Sequence, residues 1–520
     1  MLGLFVILSL VLVFYVSPRL EQWREPIQNY IHSHTGMAIT FGELDLSWRG
    51  INPRLVLKDT HFHAIELSDR AQSEPRASFG EVQFYLTPKL TFWKGGLLHI
   101  EVQNSTLPVL IDAEGDVWVG QHHLPMSGVT FSQLPENDNQ TDIEGASFIA
   151  ALSSYLTQDY TEQVKLLLED KYFKWLSSIS VENLKLSIRD ASELATAVPL
   201  DEIDDEQKDV SPQPSSQVYD FVLNIKNATL TAEKRRIKSD VLLQSDMVSG
   251  QDIVIDNLID YSQFDENKNH QVTGYLSIKS GDLEPKQLFA NVLEQLNIHT
   301  VIVKHFHFDA HLKDGFWENF KAELQLDNFS MPQSRFAEMR VNVEGEVADA
   351  MALFVGHGHQ HMPIRFQTSM SDGWLYETNN FRHEFALADV KVNGSYELDD
   401  ANLPVLSFNE LLVNDPNVRL NARGNWHGAT QGSGYIRLEG EINHLVASYL
   451  PRFLPKAIGA DVLDWLDGAF VSGELYNGHF LVDGLVDDYP FGLNPESGVN
   501  KIVAEFRDFG LDFDHQAQNI

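Results

Sequence analysis

Beyond Gly36 most of the chain alternates apolar and polar residues with a period of two. Val82, Phe84 and Leu86 fall on one side of such a stretch, and Glu81, Gln83 and Tyr85 on the other. Leu98, Ile100 and Val102 repeat the pattern, as do Phe306, Phe308, Ala310 and Leu312 against His305, His307, Asp309 and His311. It returns at Ala322, Leu324 and Leu326, at Val341 and Val343, at Val418 and Leu420, at Ile436 and Leu438, and at Ile502, Ala504 and Phe506. Successive side chains of a strand point to opposite faces, so each stretch predicts a half-buried antiparallel strand. Turns are expected at Gly95-Gly96, Glu114-Gly115-Asp116, Asn393-Gly394, Asp399-Asp400 and Gly432-Ser433-Gly434.

Helical periodicity is sparse. Phe148–Leu176 is the longest candidate, and Leu288, Phe289, Val292, Leu293 and Leu296 make an amphipathic stripe. Shorter candidates run over Leu445–Leu450 and Val462–Leu466, flanking Pro451 and Pro455. No βαβ rhythm pairs helices with strands, which argues against a Rossmann fold or an α/β barrel. Polar stretches at 135–144 and 199–217 read as linkers or long loops, the second acidic and disordered. They divide the expected organisation into 36–134, 145–350 with the acidic loop inside it, and 351–520. The stretch Ile502–Phe513 reads as a strand pair with no closing element, which suggests that the sheet continues in a longer chain.

The N-terminus breaks the alternation. Met1–Val16 carries no charge, and Leu4, Phe5, Leu8, Leu12 and Phe14 lie within it. A membrane-spanning helix needs about 20 apolar residues. The run is slightly short, but no small-x-small cleavage pattern follows it, so residues 1–18 are expected to be an uncleaved anchor. Leu20, Trp23, Ile27, Tyr30 and Ile31 then recur at helical spacing, predicting a juxtamembrane amphipathic helix over 19–35. Trp23 suits the water–lipid boundary.

Composition narrows the function. The chain of 520 residues holds 38 Lys and Arg against 74 Asp and Glu, a formal charge of −36. Such a surface repels phosphates, so nucleic acid is not an expected partner. There is no cysteine, which removes disulfides, thiolate nucleophiles and thiolate metal sites. GxSxG elbows and P-loops are absent, and acidic runs such as Asp201–Glu206 read as solvated loops. No catalytic residue and no cofactor are assigned, and an enzyme is not expected. Histidines are the remaining chemical candidates. His305, His307 and His311 share a face with Asp309, His61 and His63 form a pair, and His357, His359 and His361 cluster. Same-face histidines two residues apart chelate Zn, Cu or Ni when a third ligand is near. The plainer assignment is the wet face of a strand. No metal is assigned, with His357, His359 and His361 the foremost candidates.

Several short motifs occur in a telling order. The uncharged run is followed by Thr35-Gly36-Met37, by Ser47-Trp48, and by Pro53-Arg54-Leu55-Val56-Leu57-Lys58-Asp59. A strand at Phe79–Leu86, an aromatic–Gly link at Phe92–Gly96 and strands at Leu97–Asn104 and Pro108–Ala113 come next. Ser448-Tyr449-Leu450-Pro451, Leu463-Asp464-Trp465-Leu466 and Tyr489-Pro490-Phe491 follow in sequence near the other end. This succession resembles the AsmA-like family of bacterial envelope proteins, over about residues 1–115 and 440–514 and by pattern between. The resemblance implies an extended, curved antiparallel sheet forming a repeating β-groove, anchored in the inner membrane of a Gram-negative cell with its bulk in the periplasm. It implies phospholipids as cargo, moved toward the outer membrane, with outer-membrane or envelope proteins as partners at the far end. Alternation by itself favours a plain sandwich whose apolar faces bury each other, and it is the resemblance that turns the expectation to a groove. On the groove reading the lining residues are Val82, Phe84, Leu86, Leu98, Ile100, Phe306, Phe308, Leu324, Leu326, Ile436, Leu438, Ile502 and Phe506. The alternative is a non-catalytic envelope assembly factor or scaffold with a closed β core and protein partners.

Overall fold

The structure is a computed structural model. It describes residues 19–35, 38–49, 52–63, 77–86, 98–111, 117–119, 122–124, 159–161, 164–165, 176–190, 219–233, 235–245, 248–249, 251–264, 272–285, 298–350, 362–376, 378, 380–399, 401–491 and 498–513. The chain is mainly β, built as open sheet with few helices among these residues.

The strands are β1 (Ala38–Thr40), β2 (Glu43–Arg49), β3 (Asn52–His63), β4 (Ser78–Leu86), β5 (Leu98–Ile111), β6 (Val117–Val119), β7 (His122–Leu124) and β8 (Leu176–Asp190). Next come β9 (Tyr219–Glu233), β10 (Arg236–Ser245), β11 (Val248–Ser249), β12 (Ile253–Asp260), β13 (Thr273–Pro285), β14 (Thr300–Lys313), β15 (Phe316–Met331) and β16 (Ser334–Glu346). The last are β17 (Ile364–Leu375), β18 (Phe385–Leu398), β19 (Pro404–Asn414), β20 (Val418–His427), β21 (Tyr435–Val446), β22 (Phe470–Leu485) and β23 (Gly498–Leu511). Helix α1 covers Leu20–Thr35 and α2 covers Ala460–Ala469.

The chain divides into two compact units. The first comprises Met1–Ser280, Lys286–Leu288 and His311–Trp317, and the second the remainder. In the first unit β1 and β2 both pair with β3, and the order then runs β3, β4, β5, β8, β9, β10, β12, β13. All these pairs are antiparallel but one: β5 and β8 run parallel. A purely antiparallel sheet was expected. Parallel neighbours need a crossover of a dozen or more residues, and residues 112–175 supply it. Leu176, the expected end of the longest helix, instead opens β8. Most of that helix, the stripe from Leu288 to Leu296 and both expected linkers lie outside the described residues.

In the second unit β15 to β23 form an unbroken antiparallel meander, each strand paired with the next. Three local expectations change here. Asn393-Gly394 is not a turn but lies inside β18 at a register shift. Leu445 and Val446 end β21, and the 3-10 segment begins at Ala447, because Leu445 is held in the strand, buried between Val418 and Leu475 on the neighbouring strands. Ile502–Phe513 is not a strand pair: one strand, β23, runs through it to Leu511 and pairs along β22.

The amphipathic helix expected over 19–35 forms as α1. Leu20 is buried and Ile27 packs with it against Phe41, Leu44 and Leu57, which fixes the helix on the sheet. Trp23 points away and is 57% exposed. Among the described residues no helix is long and apolar enough to cross a membrane. The proposed anchor residues Leu4, Phe5, Leu8, Leu12 and Phe14 lie outside the described residues.

Candidate apolar binding face

Cross-strand register decides which apolar residues meet, because directly opposed residues share a face. In the first unit one row runs Leu57, Val82, Val102, Val181, Ala228, Val241, Ile255, Ile278 from β3 to β13. Beside it runs Leu55, Phe84, Ile100, Ile179, Leu230, which turns polar at Ser239. Leu86 opposes Leu98, and Leu98 opposes Leu176. The five lining residues expected in this unit therefore share one face.

In the second unit Leu324, Val341, Thr368, Val392, Leu411, Ala422, Gly440, Phe480 and Ile502 form one transverse row. A parallel row runs Ala322, Val343, Phe366, Gly394, Phe408, Gly424, Leu438, Val482. Phe308 joins this side by stacking on Phe320, with ring centroids 6.1 Å apart. Ile436 sits opposite Trp426, and Phe506 opposite Leu475. Most of these side chains are half-buried. Leu326 is sealed at 8% exposure, whereas Leu86, Ile502 and Phe506 are 49, 48 and 45% exposed.

The floor is kept shallow by glycines. A Cβ on Gly440 would lie 2.7 Å from the Phe480 ring, and one on Gly394 would lie 2.6 Å from the ring of Phe366. Each aromatic ring thus lies across the neighbouring strand's backbone.

Left-handed residues recur inside strands of each unit. Asp59, Asn104 and Asn183 have φ of 49°, 50° and 54° in the middle of β3, β5 and β8. Asn104 and Asn183 are side by side, with the Asn183 Nδ2 donating to Asn104 Oδ1 at 3.2 Å. Asn328 and Asp372 repeat the feature in β15 and β17, at 53° and 49°. Asn and Asp tolerate this conformation better than other side-chain-bearing residues. Each of these residues coincides with a slip in the alternation. Apolar residues in β5 are even-numbered from Leu98 to Val102 and odd-numbered at Leu107 and Val109. In β8 they are odd-numbered at Ile179 and Val181 and even-numbered from Leu184. A left-handed residue inside a strand bends it and re-aims the side chains that follow. Just past these residues in the first unit, Thr60, Ser105 and Leu184 are buried. Reading the alternation strand by strand missed these bending residues, although the phase slip was their signal.

Helical segments cover part of each face. In the first unit α1 lies against Leu57, and Val82 and Phe84 pack on that cluster. In the second, the 3-10 segment Ala447–Phe453 folds over Val418, Ile442, Leu445 and Leu475, with Phe480 at its margin. Phe453 then meets Phe385 at 5.1 Å, Phe385 meets Phe381 at 5.1 Å, and Phe381 reaches Tyr489 at 6.2 Å. The segment carrying Phe381 is tied down by Arg382 to Asp464 at 2.6 Å and by Lys456 Nζ donating to the Thr378 carbonyl at 2.6 Å.

The opposite face is polar and cross-linked. Arg54 donates to Ser47 Oγ at 2.9 Å and to Gln83 Oε1 at 3.0 Å. Tyr85 donates to Glu101 at 3.1 Å and stacks on His99 at 4.7 Å, and Arg49 pairs with Glu101. Burial, then the Glu101 charge, pushes the Tyr85 phenol above its ordinary value. That group stays protonated at neutral pH and serves as a donor.

Of the histidine candidates, His357, His359 and His361 lie outside the described residues. Among the described residues the metal-competent grouping is His305, His307 and Glu323, all on the polar side. His311, Asp309 and His61 are not part of it.

No protein-family model matches this sequence, and no curated protein sequence matches it.

Proposed function

We propose that this chain is an AsmA-like envelope protein that carries phospholipid acyl chains along the apolar side of its sheet. On this reading it is of the YhdP type, anchored in the inner membrane by the 1–18 run and reaching through the periplasm toward the outer membrane. Phospholipids are the cargo, and envelope proteins receive them at the far end. No step is catalytic.

One observation carries the reading. Apolar rows cross strand after strand in register, yet most of their side chains are only partly buried, and Leu86, Ile502 and Phe506 are exposed. A sheet that needed this face only for stability gains more by burying it completely. At about 25 cal/mol per Å² the unburied apolar area is stabilisation left unused. An acyl chain laid along the rows supplies the missing cover, and each of its methylenes leaves water with a gain of about 0.8 kcal/mol. The bending residues support a trough, since they turn the strands while keeping apolar side chains on one side. The polar reverse face keeps the sheet soluble on its outside.

The alternative, an assembly scaffold with a closed core and protein partners, draws on a different observation. The 447–453 segment seals Val418, Ile442 and Leu445 against the chain itself. The two readings differ in what touches Leu324 and Ile502. A photo-cross-linking residue placed at Leu324 or Ile502 should capture phospholipid in cells, and one at Gln325 on the reverse face should not. Capture of protein alone at Leu324 and Ile502, with no lipid, would overturn the lipid reading and favour the scaffold.

A further inference from the structure

We propose that His305, His307 and Glu323 form a binding site for a borderline-soft divalent cation, zinc above others, on the polar face of the second unit. His305 and His307 are two residues apart in β14 and so emerge on the same side, opposite Phe306 and Phe308. β15 lies alongside: the His299 amide donates to the Ser330 carbonyl at 2.7 Å, and Thr300 Oγ1 donates to the Asn328 carbonyl at 2.9 Å. That neighbour presents Glu323 to the pair. One ligand atom from each of the three lies within 4.8 Å of the others. Zinc holds nitrogen and oxygen ligands at about 2.0–2.2 Å, so tetrahedral neighbours stand about 3.3–3.5 Å apart.

The surroundings fit a metal ligand set. Asp309 Oδ2 lies 2.9 Å from His307 Nε2. A carboxylate accepting from one ring nitrogen fixes the tautomer, turns the other nitrogen outward and raises its basicity. Asp309 is placed as the orienting partner of His307. Lys321 holds Glu323 at 2.9 Å. The carboxylate has two oxygens, so it can keep Lys321 on one and turn the other to the ion. Two imidazoles and one carboxylate select Zn²⁺, Ni²⁺ or Cu²⁺ over Ca²⁺ and Mg²⁺, which take oxygen ligands. Three protein ligands leave a fourth position for water or an incoming group.

The test uses the purified full chain titrated with zinc chloride against a chromophoric chelator, with Co²⁺ absorption as a second readout. The wild-type chain should bind zinc at this site and give tetrahedral Co²⁺ bands. His305→Asn with His307→Asn should weaken that binding at least about 100-fold and abolish the bands. Asp309→Asn should weaken it about 10–100-fold while keeping the bands. Lys321→Ala should tighten it, because it frees a carboxylate oxygen. Circular dichroism checks that the double variant remains folded, and Glu323→Gln gives an independent loss should it not. Unchanged zinc affinity in the double variant or in Glu323→Gln overturns the proposal. So does a wild-type chain that takes up no zinc, or binding that is lost only on replacing His357, His359 and His361.

Discussion

Phe381 and Tyr489 stand ring to ring, 6.2 Å between centroids, although they extend from opposite ends of the strands in one unit. Phe381 precedes β18 at the end where Leu375 pairs with Phe385. Tyr489 follows β22 at the end where Tyr435 pairs with Leu485. The twelve-residue β21 alone spans about 40 Å when extended. A flat sheet holds the two rims that far apart. Their contact requires strands that bend and segments that fold inward over the same side. Phe385 and Phe453 link the pair to the cluster on the apolar side, which identifies that side as the inner one.

An aromatic pair contributes about 0.5–1.5 kcal/mol beyond its area. A double-mutant cycle of Phe381→Ala and Tyr489→Ala, followed by urea denaturation, should give a coupling energy in that range. Strictly additive losses would mean the rims do not meet.

Burial should separate sealed from open positions on the same sheet. Leu475 is 2% exposed and packs against Leu445, Ala447 and Ile442, so Leu475→Ala should cost about 2–5 kcal/mol. Ile502, 48% exposed, should lose under about 1 kcal/mol on the same change, judged by area removed from water. The contrast sharpens with charge. Leu475→Asp should unfold the unit because a buried unpaired charge is costly, and Ile502→Asp should not. Equal unfolding midpoints for the two Asp variants would contradict an open face at Ile502.

The bend is testable at Asn104. A β-branched side chain pays about 1–2 kcal/mol to hold φ near 50°, so Asn104→Val should destabilise by roughly that amount. Asn104→Gly should be close to neutral, since glycine adopts this region freely. Thermal melts with both variants would decide it: equal destabilisation by Val and Gly would mean the side chain matters and the backbone angle does not.

The loop between β20 and β21 carries a pH-dependent clasp. Ser433 donates from its hydroxyl and, at 2.8 Å, from its backbone amide to Asp487. These bonds hold the Asp487 carboxyl below its ordinary value of 3.8. A depressed acid contributes stability that is fully present above the unfolded value and is lost as pH falls through the folded one. Protection of the Ser433 amide from hydrogen exchange, corrected for the intrinsic rate, should therefore hold at neutral pH and decline only below about pH 4. Asp487→Asn should remove that acid dependence. A protection factor that falls already between neutral pH and about pH 5 would argue against the clasp.

Alternation by itself determined most of the β content. Val82 to Leu86, Leu98 to Val102, Phe306 to Leu312 and Ile436 to Leu438 all became strands, and residues of one parity came to share a face. That follows from a local rule, since a strand must turn successive side chains to opposite sides. The 19–35 helix was legible for the same reason, from helical spacing. What only the tertiary structure decided was register and partner. The sequence does not say that β5 runs parallel to β8, because pairing across residues 112–175 depends on which faces meet. Nor does it place Glu323 beside His305 and His307, which is a matter of how β15 aligns with β14. Asn393-Gly394 has turn chemistry, yet it lies inside β18, where register overrides local preference. Whether apolar faces are sealed or left open is likewise a long-range outcome. It rests on where α1 and the 447–453 segment lie, and on the left-handed residues that bend strands within each unit.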